Sequence, residues 1–274
     1  MTPKLGILAG GGTLPLKLAE AAEAAGRAVF IIGFEGHTDS ATVAGRSHLW
    51  SRLGAAGSII ARLKTESVEE LVFAGPVRRP SFAELMPDWK TAAFLARIGM
   101  KALGDDGLLR AVTVMLEEEG FRVVGAHDVL ADLLTPMGLI GSLPVPDTQA
   151  QTDIARGLEV ARGLGLLDVG QAVVVQQGIV LGVEAIEGTD QLLYRCGGLR
   201  REGPGGVLVK IRKPQQDRRL DLPTFGVVTV ERAATAGLRG IAVEAGGSLL
   251  MGRAAVAETA DRLGLFVVGV EAKP

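Results

Sequence analysis

The feature that most constrains the fold is a run of glycines between two apolar segments near the start of the chain. Residues 4–9 (KLGILA) are mainly apolar, three glycines follow, and residues 14–25 have helical spacing before a second apolar run at 28–33 (AVFIIG). Strand, tight turn, helix and strand in this order predict a βαβ unit. Such a unit implies a parallel sheet entered by a right-handed crossover.

Further patterns extend this sheet. Residues 57–64 have helical spacing, and residues 70–74 (ELVFA) predict a buried strand that ends at Gly75-Pro76. This strand therefore ends at the same sheet edge as the glycine turn. A helical pattern then runs up to Glu119, and residues 121–124 return to a strand. These elements predict an N-terminal parallel-sheet α/β domain.

A change of pattern divides the chain nearly in half. Residues 135–149 contain three prolines and two glycines without periodicity, so we predict a linker there, between an α/β domain at 1–134 and an α+β domain at 150–274. In the second domain, helices are predicted at 152–163 and 254–263, and strands at 171–175, 178–185, 206–211, 226–230 and 265–270.

The glycine turn is a candidate anion site. Gly11, Gly12, Thr13 and Leu14 follow a strand and open a helix, where backbone N–H groups and the helix dipole receive phosphates. The dinucleotide fingerprint G-x-G-x-x-G would need glycine where Pro15 stands, so NAD or FAD binding is disfavoured. A tight connection without any ligand remains the alternative.

Densely mixed acidic and basic residues mark the second half. Glu184, Glu187 and Asp190 follow a predicted strand, and Lys210 ends another. In the segment 216–223 (QDRRLDLP), an extended chain would project Asp217, Arg219 and Asp221 to one side. Two carboxylates together with substrate phosphates suit Mg²⁺, and Lys or Arg side chains clamp phosphoryl oxygens. The pattern favours metal-assisted phosphoryl transfer, with a solvated salt-bridge network as the alternative.

Composition excludes several classes of function. With 29 Lys+Arg against 31 Asp+Glu, the chain has no general electrostatic affinity for nucleic acid. One cysteine, Cys196, and three histidines do not form a zinc cluster or an internal disulfide. Because no apolar stretch approaches the ~20 residues of a membrane span, we expect a cytoplasmic protein.

Six motifs together resemble one family. The chain is similar to the UDP-2,3-diacylglucosamine pyrophosphatases of lipid A biosynthesis, in their histidine-poor, non-calcineurin-like type. The resemblance runs end to end and rests on GGGTLP at 10–15, AGPV at 74–77, GDDGLL at 104–109, DVGQ at 168–171, EGTD at 187–190 and QDRRLDLP at 216–223.

The resemblance implies a Mg²⁺-dependent hydrolase with substrate bound between two domains. It would split UDP-2,3-diacylglucosamine into UMP and 2,3-diacylglucosamine 1-phosphate, contact the cytoplasmic face of the inner membrane peripherally, and form a homodimer. The calcineurin-like enzymes with the same net reaction need several histidines, which this chain lacks.

The candidate roles follow from the resemblance and from the chemistry of a pyrophosphate. Asp221 is the first choice for the carboxylate that positions water, Asp217 is its substitute or a second metal ligand, and Lys210 offsets charge on the phosphoryl oxygens. A non-catalytic binder of a nucleotide-sugar or acyl ligand is the alternative, although carboxylates beside a pyrophosphate favour catalysis with a cation. The candidate substrate-binding residues are Gly11, Gly12, Thr13, Leu14, Gly75, Pro76, Gln171, Gly188, Thr189, Asp190, Arg195, Gln216 and Arg219.

Overall fold

The structure is a computed structural model that describes residues 2–78, 87–98, 105–142, 144–220 and 222–272. These residues form two compact units. The first contains the residues up to Ala131 together with Asp217–Leu220, and the second contains Asp132–Gln216 and the residues from Leu222 onward.

The first unit is built on a five-stranded sheet in the order β3-β2-β1-β4-β5, in which every neighbouring pair is parallel. Its strands are β1 Leu5–Ala9, β2 Val29–Phe34, β3 His48–Ser51, β4 Glu70–Ala74 and β5 Arg122–Val124. Its helices are α1 Leu14–Ala24, α2 Ser40–Val43, α3 Ala56–Thr65, α4 Trp89–Ile98, α5 Asp105–Glu118 and α6 Ala126–Val129. The predicted parallel α/β arrangement of this half is confirmed.

The glycine run produces the predicted βαβ unit. All five residues of β1 are buried, as expected for a central parallel strand covered on both faces. Pro15 lies in the first turn of α1, where its missing N–H costs no helical hydrogen bond. The strand order reverses between β1 and β4, and open α/β sheets bind ligands outside the carboxyl ends of the strands at such a point.

The second unit contains a six-stranded mixed sheet in the order β6-β13-β11-β9-β7-β8, with β9, β11 and β13 mutually parallel, and a small parallel pair, β10 and β12. Its strands are β6 Gly138–Leu139, β7 Ala172–Gln176, β8 Ile179–Val183, β9 Val207–Lys210, β10 Thr224–Gly226, β11 Gly240–Glu244, β12 Leu249–Met251 and β13 Phe266–Val270. Its helices are a 3-10 turn at Ala131–Leu133, which begins at the unit boundary, and α7 Thr148–Leu166, α8 Gly188–Gly197, α9 Val227–Thr235 and α10 Arg253–Leu263.

Helices cover both faces of this sheet. Residues of α7 such as Ile154 pack in one apolar cluster with Val173 and Val209. Residues of α8, α9 and α10 pack in a second cluster with Val174 and Leu208, whose side chains point to the opposite face because strand side chains alternate. The second half is therefore also built from a sheet and helices, and the chain is α/β overall.

Two predicted extended segments are helical. Residues 226–230 were predicted as a strand, but β10 ends at Gly226 and α9 begins at Val227. Val230 and Ala233, one helical turn apart, are buried against the sheet, and this tertiary packing overrides the β-branched composition. The carboxylates at 187–190 do not leave the sheet as a strand end but flank and open α8.

The segment predicted as a linker is structured in part. It contains β6, which pairs with β13, and the backbone N–H of Thr135 donates to the Ser248 carbonyl at 2.9 Å. Asp147 caps α7 by accepting from the Ala150 N–H at 2.8 Å, so the helix begins at Thr148. The described residues from Asp132 onward that precede α7 thus belong to the second unit.

Candidate active site

Two glycine turns at the carboxyl edge of the first sheet pack backbone against backbone. We call residues 10–13, after β1, and 74–77, after β4, the paired turns. Gly10 N–H donates to the Ala74 carbonyl at 2.7 Å, and Gly11 N–H donates to the Pro76 carbonyl at 2.9 Å. Gly75 has φ +83°, and a Cβ there would lie 2.2 Å from the Gly11 carbonyl oxygen. Only glycine fits this approach.

The first turn leads into the amino end of α1. Gly12 has φ +77° with open space around its Cα, and Thr13 is the N-cap residue, whose side chain makes no capping hydrogen bond. Leu14 and Pro15 form the first helical turn. Helix starts leave N–H groups without intrahelical partners and carry a partial positive charge, so this turn is suited to an anion.

A third loop joins the paired turns from strand β2. The Thr38 hydroxyl donates to the Ala9 carbonyl and accepts from the Phe34 N–H at 2.8 Å. His37 Nδ1 accepts from the Arg78 N–H at 3.3 Å. Sequence reasoning did not assign His37 to this edge because nothing in its spacing indicated a partner 41 residues away.

The segment with the two aspartates is a turn, so the prediction of an extended chain at 216–223 is wrong where it is described. Leu220 N–H donates to the Asp217 carbonyl at 3.0 Å, which closes the turn, and the Leu220 side chain is buried in the apolar core of the first unit. Alternation along a strand therefore does not place Asp217 and Arg219 side by side; the turn does. Asp221, the first-choice catalytic carboxylate, lies outside the described residues.

Arg219 binds two carboxylates at once. Its Nη2 donates to Asp217 Oδ2 at 2.8 Å and its Nη1 donates to Glu117 Oε1 at 2.8 Å, while its backbone N–H donates to Asp217 Oδ1 at 2.9 Å. These hydrogen bonds hold the pKa of Asp217 below its usual range and raise the pKa of Arg219. Asp217 is therefore an ionised carboxylate whose position is set by the guanidinium.

Lys210 forms the centre of a second polar cluster, in the second unit. It ends β9 with its side chain only 7% exposed, which is uncommon for lysine. Its ammonium donates to the Thr189 hydroxyl and to the Thr224 carbonyl, each at 3.1 Å. Sequence reasoning proposed Lys210 and Thr189, and the structure brings them into direct contact.

Glu184 completes what we call the lysine cluster, Gln171, Glu184, Thr189 and Lys210. The Thr189 hydroxyl donates to Glu184 Oε1 at 2.6 Å, and the Gln171 backbone N–H donates to Glu184 Oε2 at 3.2 Å. Gln171 Oε1 is a buried acceptor without a hydrogen-bond partner in the described part of the chain. Sequence reasoning noted Glu184 at a strand end but gave it no role.

A second buried carboxylate lies at the end of the neighbouring strand. β9 and β11 are parallel, with Lys210 opposite Val243, so Glu244 lies at the same sheet edge as Lys210. Glu244 accepts from the Arg212 N–H at 2.9 Å and from its Nε at 3.2 Å. Neither residue was singled out from sequence as a site residue, because their pairing joins positions 32 residues apart.

Other candidate residues pair outside the contacts of the lysine cluster described above. Gly188, with φ +79°, begins α8, and Asp190 in its first turn pairs with Arg232 of α9. Arg195 on α8 donates to Glu187 at 2.7 Å. Both pairs are largely solvent-exposed, and such pairs contribute little to stability.

Gln216 and Cys196 have local structural contacts. Gln216 is buried, and its Oε1 accepts from the Lys213 N–H at 3.2 Å. Lys213 Nζ in turn donates to Asp168 at 2.7 Å. Burial raises the pKa of the Cys196 thiol, so this residue is unsuited to act as a thiolate nucleophile.

The described residues do not complete a metal centre. Among them, no three His, Cys, Asp or Glu side chains are grouped as potential ligands. An ionised carboxylate such as Asp217 has the donor chemistry that Mg²⁺ prefers, but both of its oxygens accept hydrogen bonds from Arg219. The metal-ligand roles of Asp217 and Asp221 therefore stay predictions.

Comparison with known proteins identifies the relationship over nearly the whole chain. The LpxI N-terminal domain matches residues 4–133, and the LpxI C-terminal domain matches residues 137–268. The chain belongs to the LpxI family. One LpxI relative, the UDP-2,3-diacylglucosamine pyrophosphatase LpxI of Caulobacter vibrioides, is 45% identical over 276 aligned positions, covering 98% of each chain.

Both polar regions fall within the LpxI domains. The paired turns lie in the part matched by the LpxI N-terminal domain, and the lysine cluster lies in the part matched by the LpxI C-terminal domain. Among solved structures, the biotin carboxylase subunit of pyruvate carboxylase aligns with 63% of this chain and 35% of its own at 13% identity and a TM-score of 0.22. That likeness says nothing further about this LpxI family member.

The helices were also compared with the dimensions of a bilayer. In the described ranges, no helix is both long and apolar enough to cross a membrane.

Proposed function

We propose that this chain hydrolyses the pyrophosphate bond of UDP-2,3-diacylglucosamine. The observation that carries the proposal is its end-to-end relationship to an LpxI protein that is named for this activity. In the reaction, a water oxygen bonds to one phosphorus and the bridging P–O bond breaks. The products are UMP and 2,3-diacylglucosamine 1-phosphate, the reaction that the family resemblance assigns to lipid A biosynthesis.

The geometry supports a role in handling anions. A pyrophosphate is a poor electrophile until the charge on its oxygens is offset. Lys210 supplies a positive charge held in place by two hydrogen bonds, and low solvent exposure strengthens its electrostatic effect. The start of α1 supplies N–H donors beside Gly12 and Thr13. The expectation that the substrate contacts both domains remains a prediction.

Asp221 and Asp217 are our candidates for the carboxylates of the reaction. Asp217 is ionised at neutral pH because Arg219 lowers its pKa, so it is available to attract a cation or to orient water. We propose that the activity depends on Mg²⁺, which would neutralise phosphoryl charge when bound. No catalytic step is assigned to the metal.

The test is UMP release from UDP-2,3-diacylglucosamine with and without added Mg²⁺, followed by mass spectrometry of products formed in ¹⁸O water. Label in UMP or in the sugar phosphate identifies the phosphorus that is attacked. Asp221→Ala and Asp217→Ala should each lower turnover by at least ~10², the usual contribution of a metal ligand or general base. Arg218→Ala is the matched control on the same turn.

Two outcomes would overturn parts of this proposal. Tight substrate binding by wild-type protein without any UMP release would favour a non-catalytic binder of nucleotide sugars. Full activity of Asp221→Ala with unchanged Mg²⁺ dependence would remove the carboxylates from the mechanism and leave residues 216–223 a structural turn.

We also propose peripheral contact with the cytoplasmic face of the inner membrane, and a homodimer. The support for membrane contact is the diacylated substrate, which partitions into bilayers. Cosedimentation with anionic lipid vesicles, with and without substrate, tests the first, and light scattering of the purified chain tests the second. No lipid-dependent binding, or a monomeric mass at all concentrations, would contradict the respective proposal.

A further inference from the structure

Glu184 is a buried carboxylate for which the proposed reaction has no direct use. It follows β8 with only 6% of its surface exposed, and a buried carboxylate is retained only with hydrogen-bond partners. Its two oxygens accept from the Thr189 hydroxyl at 2.6 Å and from the Gln171 N–H at 3.2 Å. The first of these contacts is the short one.

The hydroxyl of Thr189 connects this carboxylate to Lys210. A hydroxyl has a single hydrogen, and in this structure Glu184 accepts it. The oxygen lone pairs that remain accept from the Lys210 ammonium at 3.1 Å. The chain of donors therefore runs in one direction, from ammonium to hydroxyl to carboxylate, and charged groups at both ends strengthen it.

We propose that Glu184 is a positioning residue that acts through Thr189 to hold the Lys210 ammonium in place for the phosphoryl oxygens of the substrate. This inference rests on the proposed pyrophosphatase function, and it assigns the relay rather than the chemistry. Without the carboxylate, the Thr189 hydroxyl is free to rotate and donate elsewhere, and Lys210 loses a fixed acceptor. The Thr224 carbonyl then remains as the other acceptor described above for the ammonium.

Glu184 itself is held rigidly, as a positioning residue must be. The backbone around Gly170 approaches it so closely that a Cβ on Gly170 would lie 2.0 Å from the Glu184 carbonyl oxygen. The N–H of the next residue, Gln171, is the donor to the Glu184 carboxylate. A rigid anchor places the ammonium reproducibly, and catalysis depends on such preorganisation.

The kinetic test is a double-mutant cycle on kcat. Glu184→Gln and Thr189→Val should each lower kcat by about 10- to 100-fold, the range for losing a hydrogen bond to a charged group. The double variant should be no worse than the more damaging single one, because both changes break the same relay. In a Lys210→Ala background, Glu184→Gln should change kcat by less than about threefold. Thr189→Ser, which restores the hydroxyl, should recover at least about tenfold over Thr189→Val.

A second readout does not depend on activity. Reductive methylation with formaldehyde and cyanoborohydride, followed by peptide mass spectrometry, measures how readily Lys210 is modified. Lys210 should react at least about threefold faster in Glu184→Gln and Thr189→Val than in wild type, since an ordered hydrogen-bonded amine is protected. Thr235→Val and Glu159→Gln, exposed positions on α9 and α7, serve as matched controls and should match wild type.

The outcomes separate the two proposals. A wild-type protein that releases no UMP refutes the proposed function, and the methylation rates still decide whether the relay orders Lys210. Unchanged methylation in both variants refutes the relay, whatever the activity. Multiplicative losses in the cycle, or an undiminished effect of Glu184→Gln in the Lys210→Ala background, show independent structural damage and refute the positioning role. Circular dichroism checks that each variant is folded.

Discussion

Gly75 and Gly12 lie in the paired turns, have nearly the same backbone conformation, and differ in what surrounds them. Their φ angles are +83° and +77°. An alanine Cβ at Gly12 would meet no atom within 4 Å, whereas one at Gly75 would lie 2.2 Å from the Gly11 carbonyl oxygen, far inside the 3.4 Å at which ordinary contact begins. Replacing each with alanine therefore separates backbone strain from steric collision.

The expected magnitudes follow from these two environments. Both replacements place a side chain in the left-handed region, at a cost of about 1–2 kcal/mol in the free energy of unfolding. Gly75→Ala also pushes the turns apart. It breaks the hydrogen bonds that Gly10 and Gly11 donate across to the second turn, each worth about 1 kcal/mol net. We expect a loss of about 1–2 kcal/mol for Gly12→Ala and about 3–4 kcal/mol for Gly75→Ala.

Urea unfolding followed by tryptophan fluorescence is the assay. The chain has two tryptophans, Trp50 and Trp89, and both lie in the first unit with the paired turns, so the signal reports this unit. Losses that agree within about 0.5 kcal/mol would refute the collision, because strain alone would then account for both variants. Wild-type stability in Gly75→Ala would show that the turns do not pack as described.

Three further predictions concern charged side chains. Arg219→Ala should destabilise the first unit by about 1–3 kcal/mol in urea unfolding, and exposed Arg218→Ala by clearly less, because Arg219 holds two carboxylates; equal losses would contradict this. Since Arg219 lowers the pKa of Asp217, the ionised pair stabilises the fold above about pH 4 and is lost as pH falls further, so Asp217→Asn should flatten the acid limb of stability between pH 7 and 3, and an unchanged limb would count against the pair. Asp153→Ala should cost about 2–4 kcal/mol in the second unit and speed hydrogen exchange at Gly178, whose N–H donates to Asp153 at 2.7 Å; unaltered exchange there would argue against the cap.

Local patterns were enough to predict the architecture of the first half. The apolar run of β1, the glycine turn and the helical spacing of α1 are contiguous, so their periodicities identify a βαβ unit and its parallel sheet. The resemblance to the pyrophosphatase family is likewise carried by contiguous motifs, and the family comparison bears it out. Lys210 and Thr189 were proposed from the charge of a strand end and from a motif.

Patterns that depend on tertiary packing were not predicted. Residues 226–230 have β-branched side chains typical of a strand, yet Val230 gains more by lying on the buried face of α9. Residues 216–220 were interpreted as extended, and burial of Leu220 in the core of the first unit selects a turn instead. In both cases a non-local contact outweighs the intrinsic preference of a short segment.

The sequence by itself determined the fold class, the family and the kinds of residue available for chemistry, because these depend on local periodicity and contiguous motifs. Only the tertiary structure decided which of those residues act on one another. Glu184 reaches Lys210 through Thr189 from 26 positions away, and Arg219 joins Asp217 to Glu117 across 102 positions. The physical reason is that strand pairing and core burial bring distant residues to one sheet edge, and no spacing along the chain records that contact.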